Sequence, residues 1–179
     1  MEPLAHEGLG RLLDLGENLH TPHIVFSHDD LTEATDLESG GSITIGKSFD
    51  LPSKPLGLDS DKEPYLHLSE NIAVLDNASS LRPQKIVEIA SKFREEADYS
   101  RLVYAPAVEP SDMPILAYLG VDIFDDLNVE LRSSTGWLLE DGSWTKTSSN
   151  IDLISANKEE LNRWVSKIRN SISNGTLRE

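Results

Sequence analysis

The feature that most constrains this chain is an alternation of short apolar runs with helical segments between residues 72 and 124. Ile72-Ala73-Val74-Leu75, Leu102-Val103-Tyr104-Ala105 and Val121-Asp122-Ile123-Phe124 have the length and make-up of buried strands. Between the first two, Ile86, Ile89, Ala90, Phe93 and Ala97 recur at helical spacing, with Ser79 or Ser80 as cap and Pro83 near the first turn. Between the second and third, Ser111 is an N-cap candidate for a short helix carrying Ile115, Leu116 and Leu119. Pro114 is tolerated there because first-turn amides lack helical partners, and Gly120 is a good stop. A β-α-β-α-β order with short connections calls for parallel strands with helices packed on them. The predicted fold class is α/β.

The flanks add a leading hairpin and a closing helix. Leu12, Leu13 and Leu15 supply one strand, Gly16-Glu17-Asn18 a turn, and Leu19-His20-Thr21 the return. His23 to Phe26 reads as a short buried strand after Pro22. Asp29 to Glu38 reads as a helical turn or a loop, and Ile43 and Ile45 alternate with Ser42 and Thr44 in strand fashion. An irregular connection spans about residues 50–66, with Pro52, Pro55, Gly57 and Pro64. Trp137-Leu138-Leu139 and Trp144 flank the turn residues Glu140 to Ser143, which predicts a hairpin and a Trp137–Trp144 cross-strand pair. Last, Leu161, Trp164, Val165, Ile168 and Ile172 share one helix face, with Asn157 as cap and Gly175 as stop. Residues 1–179 are read as a single domain.

Size and charge narrow the function classes. The chain has 179 residues, of which 38% are hydrophobic. That suffices for a real core but not for a complete (β/α)₈ barrel, which needs roughly 250 residues. With 31 acidic against 16 basic residues, the formal net charge is -15. Such a balance argues against broad electrostatic binding of nucleic acid, though not against a local basic patch. The absence of cysteine removes disulfides, a thiol nucleophile and thiolate zinc ligands. Met1 to Leu15 carries Glu2, Glu7 and Asp14 and is not a signal peptide, and no apolar run is long enough to cross a membrane. The expected location is cytoplasmic, with no membrane partner.

Several stretches carry a resemblance. Leu9-Gly10-Arg11-Leu12 with Thr21-Pro22-His23-Ile24-Val25-Phe26, then Tyr104-Ala105-Pro106-Ala107, then Leu116 through Asp125, then Ser134-Thr135-Gly136-Trp137-Leu138 and Ile172 through Glu179 follow one another in order. In this order they resemble the tRNA-guanine transglycosylase-like family, in the reduced form found at the N-terminus of archaeosine synthases. The block from Tyr104 to Asp126 is the specific part. The resemblance implies a shortened TIM-barrel-like domain with an N-terminal β-hairpin and a C-terminal helix, acting in archaeal tRNA deazaguanine modification. It places Asp125 where full transglycosylases carry the carboxylate nucleophile that attacks the ribose carbon of a guanosine. Covalent catalysis of that kind splits one displacement into two easier ones. A barrel presents such residues at the C-terminal ends of its strands. Asp122 and Asp126 flank it as candidate substrate-binding residues; together the three also read as a Mg²⁺-ligand set or as a solvated strand end. Asp122 reads best as a residue that orients backbone or pairs with a basic side chain.

The departures from the family shape the expected role. Glu38-Ser39-Gly40-Gly41 is similar in letters to the family's acid/base motif but lies too close to the first strand. The family's zinc ligands have no counterpart, since Trp144 to Asn157 contains neither Cys nor His. No cofactor is therefore expected. The reading is an accessory tRNA- or partner-binding module, with other archaeosine synthase domains or subunits as partners. The alternatives are an active minimal transglycosylase using Asp125 and a P-loop nucleotide binder. Gly41 to Ser48 fits the P-loop pattern, but an acidic segment precedes it and Ile43 and Ile45 read as strand residues. His20, His23 and His28 read as surface histidines rather than metal ligands, and the cations of the last helix read as its solvated face.

Overall fold

In the computed structural model, residues 2–27, 29–32, 41–51, 65–76, 78, 92–148 and 151–177 are described. In chain order the strands and helices are β1 (Ala5–Glu7), β2 (Gly10–Leu12), β3 (Asp14–Gly16), β4 (Leu19–His20), β5 (His23–Val25), β6 (Leu31–Thr32), β7 (Ser42–Ile45), β8 (Lys47–Asp50), β9 (Tyr65–Leu68) and β10 (Ile72–Asp76). There follow helical residues 92–97 (α1), then β11 (Leu102–Tyr104), α2 (Met113–Tyr118), β12 (Ile123–Asp125), α3 (Leu127–Ser134), β13 (Trp137–Glu140), β14 (Ser143–Lys146) and α4 (Leu153–Asn174).

Every residue of β10 is buried, because both faces of its sheet are covered. The sheet has five strands in the order β5-β12-β11-β10-β9. The first four run parallel, and β9 joins antiparallel at the edge. The strand alternation sorts side chains into two cores. Ile24, Ala73, Leu75, Val103 and Phe124 face α2, α3 and α4, meeting Leu116, Val129, Leu161, Val165 and Ile168. Val25, Ile72, Val74, Leu102, Tyr104 and Ile123 face the other way, where Ile43, Ile45, Phe49 and Leu51 cover them. The covering residues come from the small antiparallel sheet β6-β7-β8 and its end. The α/β class, the parallel strands and the closing helix are as expected from the alternation. Among the described residues the strands form an open mixed sheet with β5 and β9 at its edges, not a closed barrel.

Several local expectations change. The hairpin at β3 and β4 is present, but a second one, β1 with β2, precedes it. Its residues lack apolar alternation, and it is held instead by close glycine packing: a Cβ on Gly10 would lie 2.4 Å from the Ala117 carbonyl oxygen. Lys47 to Asp50 is a strand, paired with β7 around Gly46 at φ +65°. The P-loop letters therefore form a hairpin in which Lys47 and Ser48 open a strand and not a helix, which is the wrong backbone for a phosphate cradle. Helix α2 is preceded by a 3-10 turn at Pro110–Asp112, so Asp112 rather than Ser111 is its cap residue. Trp137 pairs with Lys146, and Leu139 with Trp144, so the two indoles are not directly opposed. Asp152 caps α4 by accepting from Ser155 N, and Asn157 is buried within the helix. Gly175 ends it in the left-handed conformation, as its position suggested. Of the irregular connection expected at about 50–66, Asp50 ends β8 and Tyr65 and Leu66 begin β9; its residues 52–64, the Glu38-Ser39-Gly40 letters, His28 and the helical pattern before Lys92 lie outside the described residues.

Candidate active site

Asp125 is the last residue of β12, so its side chain follows Ile123 onto the face covered by the small sheet. Tyr104 ends β11 and Asp76 ends β10 on the same face. Three strand ends thus bring buried polar side chains to one edge of the sheet. The Tyr104 hydroxyl donates to Asp125 Oδ2 at 2.7 Å. The Ala107 amide donates to both carboxylate oxygens at 3.0 and 3.1 Å, and the Leu127 amide donates to Oδ1 at 3.1 Å. Ala107 reaches this position with φ +54°, and Asn128 Nδ2 holds its carbonyl. Asp125 is 1% exposed.

The electrostatics follow from that enclosure. Burial raises the Asp125 pKa to about 6, against the pull of its hydrogen bonds from Tyr104, Ala107 and Leu127. Burial likewise raises Tyr104 well above an ordinary tyrosine, and the Asp125 charge adds to it. Tyr104 therefore stays a neutral donor. Asp125 ties together the loop after β11, the end of β12 and the start of α3. Its two oxygens face the Tyr104 hydroxyl and the Ala107 and Leu127 amides, not solvent.

Its neighbours have separate partners. Asp126 is buried, with Oδ1 accepting from Ser27 N at 2.8 Å and Oδ2 lying 2.8 Å from Lys158 Nζ. Lys158 also reaches Glu130 at 2.9 Å. Burial works against its charge, but Asp126 and Glu130 outweigh that and hold its pKa above the usual lysine value. Asp122 sits at the opposite end of the strand. Arg11 donates to both its oxygens at 2.8 Å, Arg94 donates to Oδ2 at 3.3 Å, and the Val103 amide donates at 2.9 Å. Asp125 and Asp126 are thus neighbours on one strand end, while Asp122 belongs to a different cluster. Among the described residues, no group of three or more His, Cys, Asp or Glu side chains is placed to hold a metal ion.

The zinc donor set implied by the resemblance does not fit this chain. Asn157 of α4 ties β13 to α3: its Oδ1 accepts from Leu139 N at 2.7 Å, and its Nδ2 donates to Trp137 O and Ser133 Oγ at 2.8 Å. Tyr104, Ala107, Lys158 and Asn157 were not singled out as site residues from sequence. For Tyr104 a signal existed, since a tyrosine at an interior strand position needs a partner for its hydroxyl.

This is an α/β domain with a sealed carboxylate at the end of a central parallel strand. Comparison with known proteins gives it relatives. It is 32% identical over 110 residues to archaeosine synthase of Methanocaldococcus jannaschii, covering 60% of this chain and 19% of that protein. It is 26% identical over 160 residues to archaeosine synthase subunit alpha of Thermoplasma acidophilum, covering 84% of this chain and 31% of that one. The chain is therefore similar to archaeosine synthases and spans less than a third of the length of these two. No protein-family profile matches it.

Proposed function

We propose that this chain is an accessory module of archaeosine-type tRNA modification, one that binds tRNA or a partner subunit and does not itself exchange a base. The similarity to archaeosine synthases supports the pathway. The observation that carries the accessory role is the enclosure of Asp125, which is 1% exposed. The sheet face that Asp125 shares is filled by Ile43, Ile45 and Phe49, where an attacking carboxylate would need room for a ribose. The strand order supports descent from a barrel: the first parallel strand, β5, lies beside the last, β12, as barrel closure requires. We read the domain as a shortened TIM-barrel-like fold whose missing wall is replaced by the β6-β7-β8 sheet. A partner subunit is in keeping with the name of the Thermoplasma relative.

The test is an exchange assay with unmodified archaeal tRNA and labelled guanine. The accessory reading expects no incorporation above background. Robust turnover that Asp125→Ala abolishes would overturn it in favour of a minimal transglycosylase.

A further inference from the structure

A second polar site lies at the other end of the sheet. Arg11 and Arg94 are both buried, at 7% and 2% exposed, and they share one carboxylate, Asp122. Their remaining bonds go to backbone carbonyls: Arg11 to Tyr99 O and Arg101 O, Arg94 to Gly120 O, Asp98 O and Arg101 O. Carbonyl dipoles solvate a cation without neutralising it, and in the ion pairs seen among the described residues the two guanidinium groups share the one carboxylate of Asp122. Burial lowers the Arg94 pKa; Asp122 opposes that, and the adjacent Arg11 charge adds to it. Above the cluster opens a cavity of about 270 Å³ lined by Pro3, His6, Gly8, Leu9, Arg11 and Tyr99. Tyr99 is 58% exposed and rests one ring face on Arg94, 5.1 Å from Cζ to the ring centroid. In a chain with net charge -15, this cavity has a guanidinium and an imidazole in its lining.

We propose that this cavity binds a phosphoryl group, with Arg11 and His6 facing the anion and the outer face of Tyr99 receiving a base stacked beside it. Guanidinium suits phosphate oxygens, and an exposed aromatic ring on a cation suits a nucleobase. The ligand class is a nucleotide phosphate, free or within RNA. The site does not depend on the accessory reading, because it is remote from Asp125.

The experiment is an amide-shift titration of the full chain at constant ionic strength with inorganic phosphate, a nucleoside, its 5′-monophosphate, and a short single-stranded RNA. The expected result is saturable shifts at Gly8, Leu9 and Tyr99 with every phosphate ligand. The monophosphate should bind about tenfold tighter than phosphate, and His6→Ala should weaken both about tenfold. Tyr99→Ala should remove the nucleotide preference and keep phosphate binding. RNA binding tighter than the monophosphate points to a polymer source, and the reverse order to a free nucleotide. Arg11→Lys keeps a positive charge but loses the bonds to Asp122, Tyr99 O and Arg101 O that fix the guanidinium beside the cavity, so it should reduce affinity in a protein whose urea midpoint confirms folding. The proposal is overturned if phosphate produces no saturable shift at these amides, or if the nucleoside binds as well as its monophosphate.

Discussion

Replacing Asp125 by Asn removes a charge from a fully enclosed carboxyl while keeping its shape. Asn Oδ1 can still accept from the Ala107 and Leu127 amides, and the Tyr104 hydroxyl can turn to accept from the new amide group. Burial raises the Asp125 pKa from the ordinary 3.8 to about 6. The folded state therefore holds this proton more tightly than the unfolded chain does. A raised carboxyl pKa contributes stability at low pH that is lost as pH rises through about 6. At about 1.36 kcal/mol per pH unit, the whole change corresponds to roughly 3 kcal/mol. Roughly 1.4 kcal/mol of it falls between pH 5 and pH 8. Urea unfolding of both proteins at several pH values measures it, since the other carboxylates cancel in the difference. The stability of the wild type relative to Asp125→Asn should fall by roughly 1–1.5 kcal/mol from pH 5 to pH 8, with the m-value unchanged. A difference that stays flat or grows with pH would rule out a raised Asp125 pKa in the folded state. It would mean that the site stabilises the anion, as a poised nucleophile requires.

Other outcomes follow from the same geometry. Asp122→Ala leaves Arg11 and Arg94 buried without their carboxylate and should cost about 3–5 kcal/mol in urea unfolding. Gly10→Ala places a Cβ 2.4 Å from the Ala117 carbonyl, so the β1–β2 hairpin must shift; a melting temperature several degrees lower is expected. Asn157→Leu leaves the Leu139 amide without its acceptor and should cost about 1–3 kcal/mol, read by the same unfolding assay. Lys47→Ala should leave a calorimetric ATP titration identical to that of the wild type, because β7 and β8 form a hairpin and not a phosphate loop.

What could be read from the chain alone follows physical lines. The three parallel strands from Ile72 to Asp125 are continuous apolar runs, and such runs announce burial on both faces. Helix α4 announced itself through Leu161, Val165, Ile168 and Ile172, all of which are buried. Strands β1, β8 and β9 escaped because their residues are short, charged or mixed, and tertiary pairing rather than local pattern holds them. Helix α3 escaped because its apolar residues are few and its start is fixed by Asp125 accepting from Leu127 N. The position of Asp125 was legible from strand polarity. Its enclosure was not, because Tyr104 and the left-handed Ala107 meet it from elsewhere in the chain. The pairing of Asp122 with Arg11 and Arg94, across 111 and 28 residues, is likewise a product of the fold.

In the proposed accessory role Asp125 holds structure and does not attack RNA. The most direct test is single-turnover trapping: the folded chain is mixed with end-labelled tRNA, quenched in denaturant, and run on a denaturing gel beside Asp125→Asn. No protein-linked RNA band is expected in either lane. A covalent adduct formed by the wild type and lost in Asp125→Asn would contradict it.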